Sequence, residues 1–252
     1  QTLYNLPAAF ITPLTISVVP AIAACRVTHR GRESSRIAEN SLRIATVIAL
    51  PMGVGLSVLS QPIMTVIYPG SHESGPELLL LMGAASFFVC MALMMNAILQ
   101  AGGNEKYPIY SMIIGGIVKI AVNWFLVADP GINILGAPIG TLSCYAVMCV
   151  MDYIFLCRVM PDRPKLGRIL ARPVLSCAAM GLTAWAVYGL SLRFIGGVEP
   201  GRLIMALCMC LAIGAAVIVY LVLTVLTRAV TYEDMKLIPK GEKLARLLRI
   251  SP

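Results

Sequence analysis

The sequence predicts an all-α, polytopic membrane protein with seven transmembrane helices. Hydrophobic residues make up 58% of the 252 residues and charged residues only 13%, whereas a soluble domain usually carries about 25% charged residues. The apolar residues come in long blocks, and a bilayer-spanning helix needs about 20 mostly apolar residues. Transmembrane β-strands would instead alternate in segments of about ten residues, a pattern that this sequence does not show.

Seven blocks meet this length requirement, and a polar or turn-forming segment separates each block from the next. In chain order the blocks are residues 3–25, 44–68, 78–101, 108–128, 132–157, 173–195 and 203–227. The segments between them read RVTHRGRESSRIAENSLR, PGSHESGPE, GGNEKY, DPG, RVMPDRPKLGRILAR and GGVEPGR.

Lysine and arginine are concentrated on one side of the predicted membrane. Seventeen of the 20 lie in the connections after the first, third and fifth blocks and in the C-terminal tail. The opposite side has only Arg193 and Arg202, and Lys119 lies inside a block. By the positive-inside rule the richer side is cytoplasmic, so the C-terminus is expected inside and the N-terminus outside.

The start of the chain predicts an upstream segment. It reads QTLYNLP, with neither an initiator methionine nor a signal peptide. An outer N-terminus that leads directly into a spanning helix needs something before it. We therefore expect the C-terminal part of a longer transporter, with an odd number of helices before Gln1. A complete, receptor-like protein of seven helices is the alternative.

Several stretches, taken in order, resemble the multidrug/oligosaccharidyl-lipid/polysaccharide exporter superfamily. YNLPAAFITPLTISVVPAIA resembles the eighth helix of that fourteen-helix fold, and ALPMGVGLSVLSQPIMTVIYPG the ninth. ILQAGGNEKYPIY resembles the turn between the tenth and eleventh helices, and PGINILGAPIGTLSCY the start of the twelfth. The likeness is closest to the MurJ-type lipid II flippases and the related stage V sporulation protein B and polysaccharide-biosynthesis branch. The tail YEDMKLIPKGEKLARLLR is similar to the ending of the sporulation branch.

The resemblance implies both a division of the chain and a function. Residues 1–158 would be five helices of the C-terminal transport lobe, residues 159–230 an appended helix pair that offers a groove for an isoprenoid tail, and residues 231–252 a cytoplasmic amphipathic tail. The function implied is a flippase in the bacterial plasma membrane. It would move a lipid-linked cell-wall or polysaccharide precursor of the lipid II type from the inner to the outer leaflet. Its partners would be this glycan lipid and the missing N-terminal half.

Polar residues inside the apolar blocks are the candidate functional side chains, because an unpaired polar group in hydrocarbon is costly. Lys119 and Asn123 are four residues apart and share a helix face, as Asn96 and Gln100 do. Lys119 lies about eleven residues into its block, close to the bilayer midplane at a rise of about 1.5 Å per residue. The full candidate set is Asn5, Asn96, Gln100, Lys119, Asn123 and Thr141.

Lys119 has three interpretations. It contacts the pyrophosphate of a lipid-linked substrate, it acts as a built-in cation, or it forms a structural ion pair with the missing half. Some members of the superfamily resemble sodium-coupled transporters with a cation site on this helix and the next. Lys119, Asn123 and Thr141 fall about where its ligands would be. A lysine there would replace the ion and argue against sodium coupling.

The other polar positions are expected to play supporting roles. Asn96 and Gln100 either form hydrogen bonds between helices or line a cavity. Asp152 lies close to Arg158 and the cytoplasmic end of its block, and we expect it to be hydrated and structural. The lipid II flippases have a basic residue near the start of this first helix. Thr2 stands there instead, which leaves the exact substrate open.

Other functional classes have less support. All eight cysteines lie inside or at the ends of apolar blocks, so they are expected to pack as small hydrophobic residues, without a metal, a cofactor or a disulfide framework. The isolated His29 and His72 and the lack of a glycine-rich nucleotide loop argue against an enzyme. The alternative is a cation-coupled multidrug exporter of the same fold, for which only Lys119 and Asp152 qualify as coupling residues.

Two amphipathic segments, SRIAENSLRIA and KLARLLRI, are expected to lie on the anionic lipids of the inner leaflet. In the first, Glu39 and Arg43 form a favourable pair four residues apart. A solvated basic loop is the alternative for each segment. The pI near 9.2 therefore indicates membrane lipids and not nucleic acid as a partner.

Overall fold

A computed structural model describes residues 2–68, 70, 74–128, 131, 133–194 and 201–227. These residues form α-helices and one 3-10 turn (Asn133–Leu135), with no strand among them. The predicted tail 231–252, the helix end at Ile195 and the side chain of Thr2 lie outside the described part. The helices are α1 (Thr2–Val27), α2 (Gly31–Val58), α3 (Ser60–Ile67), α4 (Gly75–Ala101), α5 (Lys106–Val127), α6 (Gly136–Val159), α7 (Leu166–Phe194) and α8 (Arg202–Leu226).

Seven of these helices, all except the short α3, are long and apolar enough to cross a membrane. Each contains most of one predicted block. The prediction of an all-α, polytopic membrane protein with seven spans is therefore confirmed.

The second block differs from its prediction at both ends. Its helix α2 begins at Gly31 and ends at Val58, and the chain turns at Leu59 into α3. Ala38 and Leu42 are fully buried in the core. The segment SRIAENSLRIA is therefore the first half of α2, packed by its apolar face, and not a separate surface segment. The pair predicted within it is present, with 3.5 Å between Arg43 and Glu39.

The central helix of the bundle is α4, which contacts α1, α2, α3 and α6. Its apolar residues are spread around the helix and 56% of its span is buried, the largest share among the seven spans, as expected of a helix with neighbours on several sides. Glycines let α2 and α4 approach closely where they cross. A Cβ added to Gly53 would lie 2.8 Å from the carbonyl oxygen of Gly83, and one added to Gly83 would lie 2.8 Å from the Ser57 nitrogen.

The α7–α8 pair packs against α2 and α3 through a second cluster of buried apolar residues. Pro51 lies inside α2 and has no N–H to donate to the carbonyl of Val47 four residues earlier. The Tyr220 hydroxyl of α8 donates to that carbonyl at 2.7 Å. A hydrogen bond thus joins the α7–α8 pair to α2 at the Val47 carbonyl, which has no helical donor because of Pro51.

The connections that follow α1, α4 and α6 meet at one end of the bundle. The Arg26 guanidinium lies against Gly103, and the Pro161 ring lies against Gly31. The main-chain nitrogen of Asp162 donates to the Ser35 hydroxyl at 3.4 Å. These are the three connections that the sequence places on one side of the membrane, and the structure brings them together.

Candidate functional site

The hairpin of α5 and α6 carries three of the predicted site residues, and small residues set its register. Gly115 of α5 faces Met148, whose Cγ would lie 2.6 Å from a Cβ at Gly115. Towards the turn of the hairpin, Gly136 of α6 packs against Leu126. At its open end, the Tyr107 and Phe155 rings stack 4.6 Å apart. The two helices are therefore antiparallel and in close contact along their length.

Lys119 lies on the side of α5 that faces α6. It continues the stripe of every fourth residue that includes Ser111 and Gly115, both buried. Its side chain is half-buried and lies near the Cys144 thiol of α6. Among the described residues Lys119 has no hydrogen bond and no ion pair. A structural ion pair within this part of the chain is therefore not what holds the lysine in place.

Asn123, one turn further along α5, packs directly on Gly140 of α6. Its Oδ1 is buried and has no hydrogen-bond partner among the described residues. Thr141 is the next residue after Gly140, and its hydroxyl donates to the Ala137 carbonyl at 3.0 Å. The structure thus brings Lys119 and Asn123 to the stretch of α6 that contains Thr141.

The other predicted residues lie elsewhere. Asn96 and Gln100 follow one another on an open face of α4, where Gln100 is exposed and the buried Oδ1 of Asn96 has no partner among the described residues. They lie next to the α4–α5 turn, whereas Lys119 is more than three turns further along α5. Asn5 is exposed near the start of α1. The two polar pairs therefore lie at different depths of the bundle.

The sequence analysis missed a tyrosine pair that joins two helices. Tyr4 of α1 meets the Tyr145 hydroxyl of α6, close to Cys90 and Cys144. A buried tyrosine usually finds a partner for its hydroxyl, and this rule was the available signal. The pair bridges α1 and α6 near the Lys119 neighbourhood.

The burial of Asp152 differs from its prediction. We expected this residue to be hydrated, yet it is 0% exposed and neither carboxyl oxygen has a hydrogen-bond partner among the described residues. Distance from the helix end suggested hydration, but the helix face decides burial. Asp152 continues the stripe of Cys144 and Met148, and α6 packs between α4 and α5.

Two apolar grooves lie along the border between the α7–α8 pair and the helices that it packs against. One, of about 530 Å³, lies between Pro51 and Leu59 on one side and Met180 and Ala216 on the other. The second, of about 670 Å³, runs along α7 past Val54, Gln61 and Trp185. Their linings suit hydrocarbon chains better than polar ligands.

Metal ligation has no support in the described part of the chain. No group of three or more His, Cys, Asp or Glu side chains lies close enough to hold an ion there. All eight cysteines are free thiols. Most are buried, as expected of small packing residues.

Known proteins similar to this chain point to one family. A family model described as "Lipid II flippase MurJ" matches residues 1–208. The lipid II flippase MurJ of Bacillus subtilis (strain 168) is 25% identical over 228 residues, an alignment that covers 87% of this chain and 41% of that protein. The chain thus spans about two fifths of the length of this relative. The matched region includes α1 to α7 and the start of α8.

Proposed function

The chain belongs to the MurJ lipid II flippase family, and we propose that it forms part of a flippase for a lipid-linked precursor of the lipid II type. The observation that carries this proposal is the family match over residues 1–208, on a scaffold with seven candidate membrane spans. Because the chain covers 41% of its relative, the activity is proposed for a longer transporter. This chain would be its C-terminal part, corresponding to helices eight to fourteen.

The proposed direction is from the inner to the outer leaflet of the bacterial plasma membrane, with the C-terminus in the cytoplasm. Seventeen of the 20 lysines and arginines support this orientation. The meeting of the three basic connections at one end of the bundle supports it as well. The basic side would also bind anionic lipids. As part of a transporter, the chain would move its substrate without changing it chemically.

The transport lobe would be residues 1–158, and Lys119 its main charged group within the membrane. A cation without a described carboxylate partner in such a helix needs water or another ligand. The pyrophosphate of the substrate would supply one. Alternatively, the ammonium group would serve as a built-in cation between Asn123 and Thr141. Under the second role, transport would not depend on sodium.

The appended pair, residues 159–230, would hold the isoprenoid tail of the substrate. The two apolar grooves beside α7 support this assignment. Burial of hydrocarbon in them would contribute about 0.8 kcal/mol per CH₂ group relative to water. The tail would enter the grooves from the hydrocarbon of the bilayer and not from water, so the gain in binding free energy would be small. The main effect of the grooves would be to orient the tail.

A cation-coupled multidrug exporter of the same fold is the second candidate. It would need ionisable coupling groups inside the membrane. The buried carboxyl of Asp152 is the observation that favours it. A flippase for a precursor used in sporulation, as the resemblance to the stage V sporulation protein B branch implies, is a variant of the first candidate.

The test uses the full-length transporter in bacteria depleted of their own lipid II flippase. We expect the wild type to restore lipid-linked precursor to the outer leaflet. Lys119→Met, which keeps the length of the side chain and removes its charge, should not restore it at the same membrane level. Lys106→Met, at the start of the same helix, is the control and should behave as wild type. Failure of the wild type would refute this function, and full activity of Lys119→Met would make the lysine structural.

A further inference from the structure

The side chain of Asp152 lies where α4, α5 and α6 come together, and its surroundings are almost free of charge. From α5 it faces Ser111, which is 0% exposed. The titratable group beside it is the thiol of Cys149, on its own helix. Lys119 lies two turns further along α5 than Ser111. The described residues thus give this carboxyl no cationic partner.

An ionised carboxylate does not suit this place. Moving an unpaired charge from water into an apolar interior is so costly that the group neutralises instead. The Ser111 hydroxyl donates to the Tyr107 carbonyl at 3.2 Å. Its oxygen is therefore available to the carboxyl as an acceptor, which fits a carboxylic acid that has an O–H to donate.

A metal cation does not suit the place either. Hard cations need about six oxygen ligands. The groups found to face Asp152 in the described part of the chain are the Ser111 hydroxyl and the Cys149 thiol. A proton, in contrast to a metal cation, needs only the carboxyl oxygen that it binds and one acceptor for the resulting O–H group.

We propose that Asp152 is a proton-binding site of the transporter. The carboxyl holds a proton while the junction of α4, α5 and α6 is closed, as it is in this structure. When the helices separate and water enters, the carboxylic acid releases the proton to water and becomes a carboxylate; reprotonation precedes closure. The link between this proton and substrate movement rests on the proposed function, whereas the proton site itself does not.

Infrared spectroscopy of the full-length transporter in lipid bilayers tests the proton site without any substrate. Near neutral pH we expect the carbonyl stretch of a buried carboxylic acid, lost in Asp152→Asn and kept in Asp162→Asn. Asp162 is an exposed carboxylate in the connection after α6 and serves as the matched control. Ser111→Ala leaves the carboxyl in place and should shift the band by removing the polar group that faces it. Absence of the band from the wild type, or its persistence in Asp152→Asn, would overturn the proposal.

Transport measured across a range of pH tests the link to movement. For a single titrating group we expect the wild-type rate to fall about tenfold per pH unit above its midpoint. Asp152→Asn, which cannot exchange a proton, should vary less than about twofold over the same range, and Asp152→Glu should keep a pH dependence. Equal profiles in wild type and Asp152→Asn would refute coupling through this group. Absence of lipid II movement at every pH would refute the proposed function and leave the infrared result to decide the proton site.

Discussion

Lys119 and Asp152 show two ways in which an ionisable residue can occupy a membrane helix. Lys119 keeps part of its side chain exposed, so a substrate group or water can reach it. Asp152 is sealed between helices and has no cationic partner among the described residues. A membrane-embedded charge is costly unless it is paired, solvated or neutralised. Lys119 is open to solvation, whereas the proposed proton would neutralise Asp152.

The contact between Asn123 and Gly140 gives a prediction about packing. A Cβ at Gly140 would occupy the space of the Asn123 amide, so Gly140→Ala should push this half-buried side chain out of its place against α6. We expect a loss of about 1 kcal/mol, because the side chain must leave its rotamer while the backbone can stay in place, seen as a lower thermal unfolding midpoint of the transporter in detergent. Gly116→Ala is the control, because nothing lies within 4 Å of a Cβ there. Equal midpoints for the two variants would show that this contact is loose.

At single positions, the sequence indicated which helix face a polar residue lies on better than it indicated which residues surround it. Lys119 and Asn123 could be assigned to one face because their spacing fixes it. The burial of Asp152 could have been found from its stripe with Cys144 and Met148, but the partner helices that seal it come from elsewhere in the chain. A buried tyrosine is expected to have a partner for its hydroxyl, but that Tyr4 meets Tyr145 depends on how α1 and α6 pack around α4.

Among the elements, α2 departs most from its sequence pattern. The hydropathy of residues 44–68 predicts one continuous span, yet the helix starts at Gly31 and a turn at Leu59 separates α3. Charged residues lower the mean hydropathy of residues 30–43, although one face of this segment, which includes Ala38 and Leu42, is buried. Hydropathy averages over all faces of a helix, so it finds spans reliably and misses such extensions. In the same way, α7 begins at Leu166, ahead of the block predicted from residue 173.

The hydrogen bond between α8 and α2 gives a prediction about how the appended pair is held. Tyr220→Phe removes the donor to the part-buried Val47 carbonyl, which already lacks its usual helical partner because Pro51 has no N–H. We expect a loss of about 1 kcal/mol in the thermal stability of the transporter. Tyr188→Phe, on α7, is the matched control, since no hydrogen bond of its hydroxyl is found among the described residues. If both variants unfold alike, the bond contributes nothing to docking.

Over the molecule as a whole, the outer surface is that of a protein in lipid. Trp124 and Phe125 of α5 are 76% and 75% exposed, and a groove between them is lined only by apolar side chains. In water such a face would favour association. In a bilayer it meets hydrocarbon at little cost. Composition alone predicted this property, because it depends on the total of apolar residues and not on their packing.

The orientation of the whole bundle is open to a direct test. From the positive-inside rule we expect the C-terminus and the connections after α1, α4 and α6 to lie in the cytoplasm. A green fluorescent protein fused to the C-terminus of the full-length transporter should fluoresce, whereas alkaline phosphatase at the same place should be inactive. The same reporters inserted after Gly201, in the connection before α8, should give the opposite result. Active phosphatase at the C-terminus would reverse the orientation.

The most direct measurement of the proposed function places purified full-length transporter in vesicles that contain fluorescent lipid II. The fraction of label that an added, membrane-impermeant quencher reaches then reports movement between leaflets. We predict that wild-type protein makes the inner-leaflet label accessible faster than in protein-free vesicles, and that Lys119→Met slows this movement. Wild-type vesicles that equilibrate no faster than protein-free ones would contradict the assignment of this transporter as a lipid II flippase.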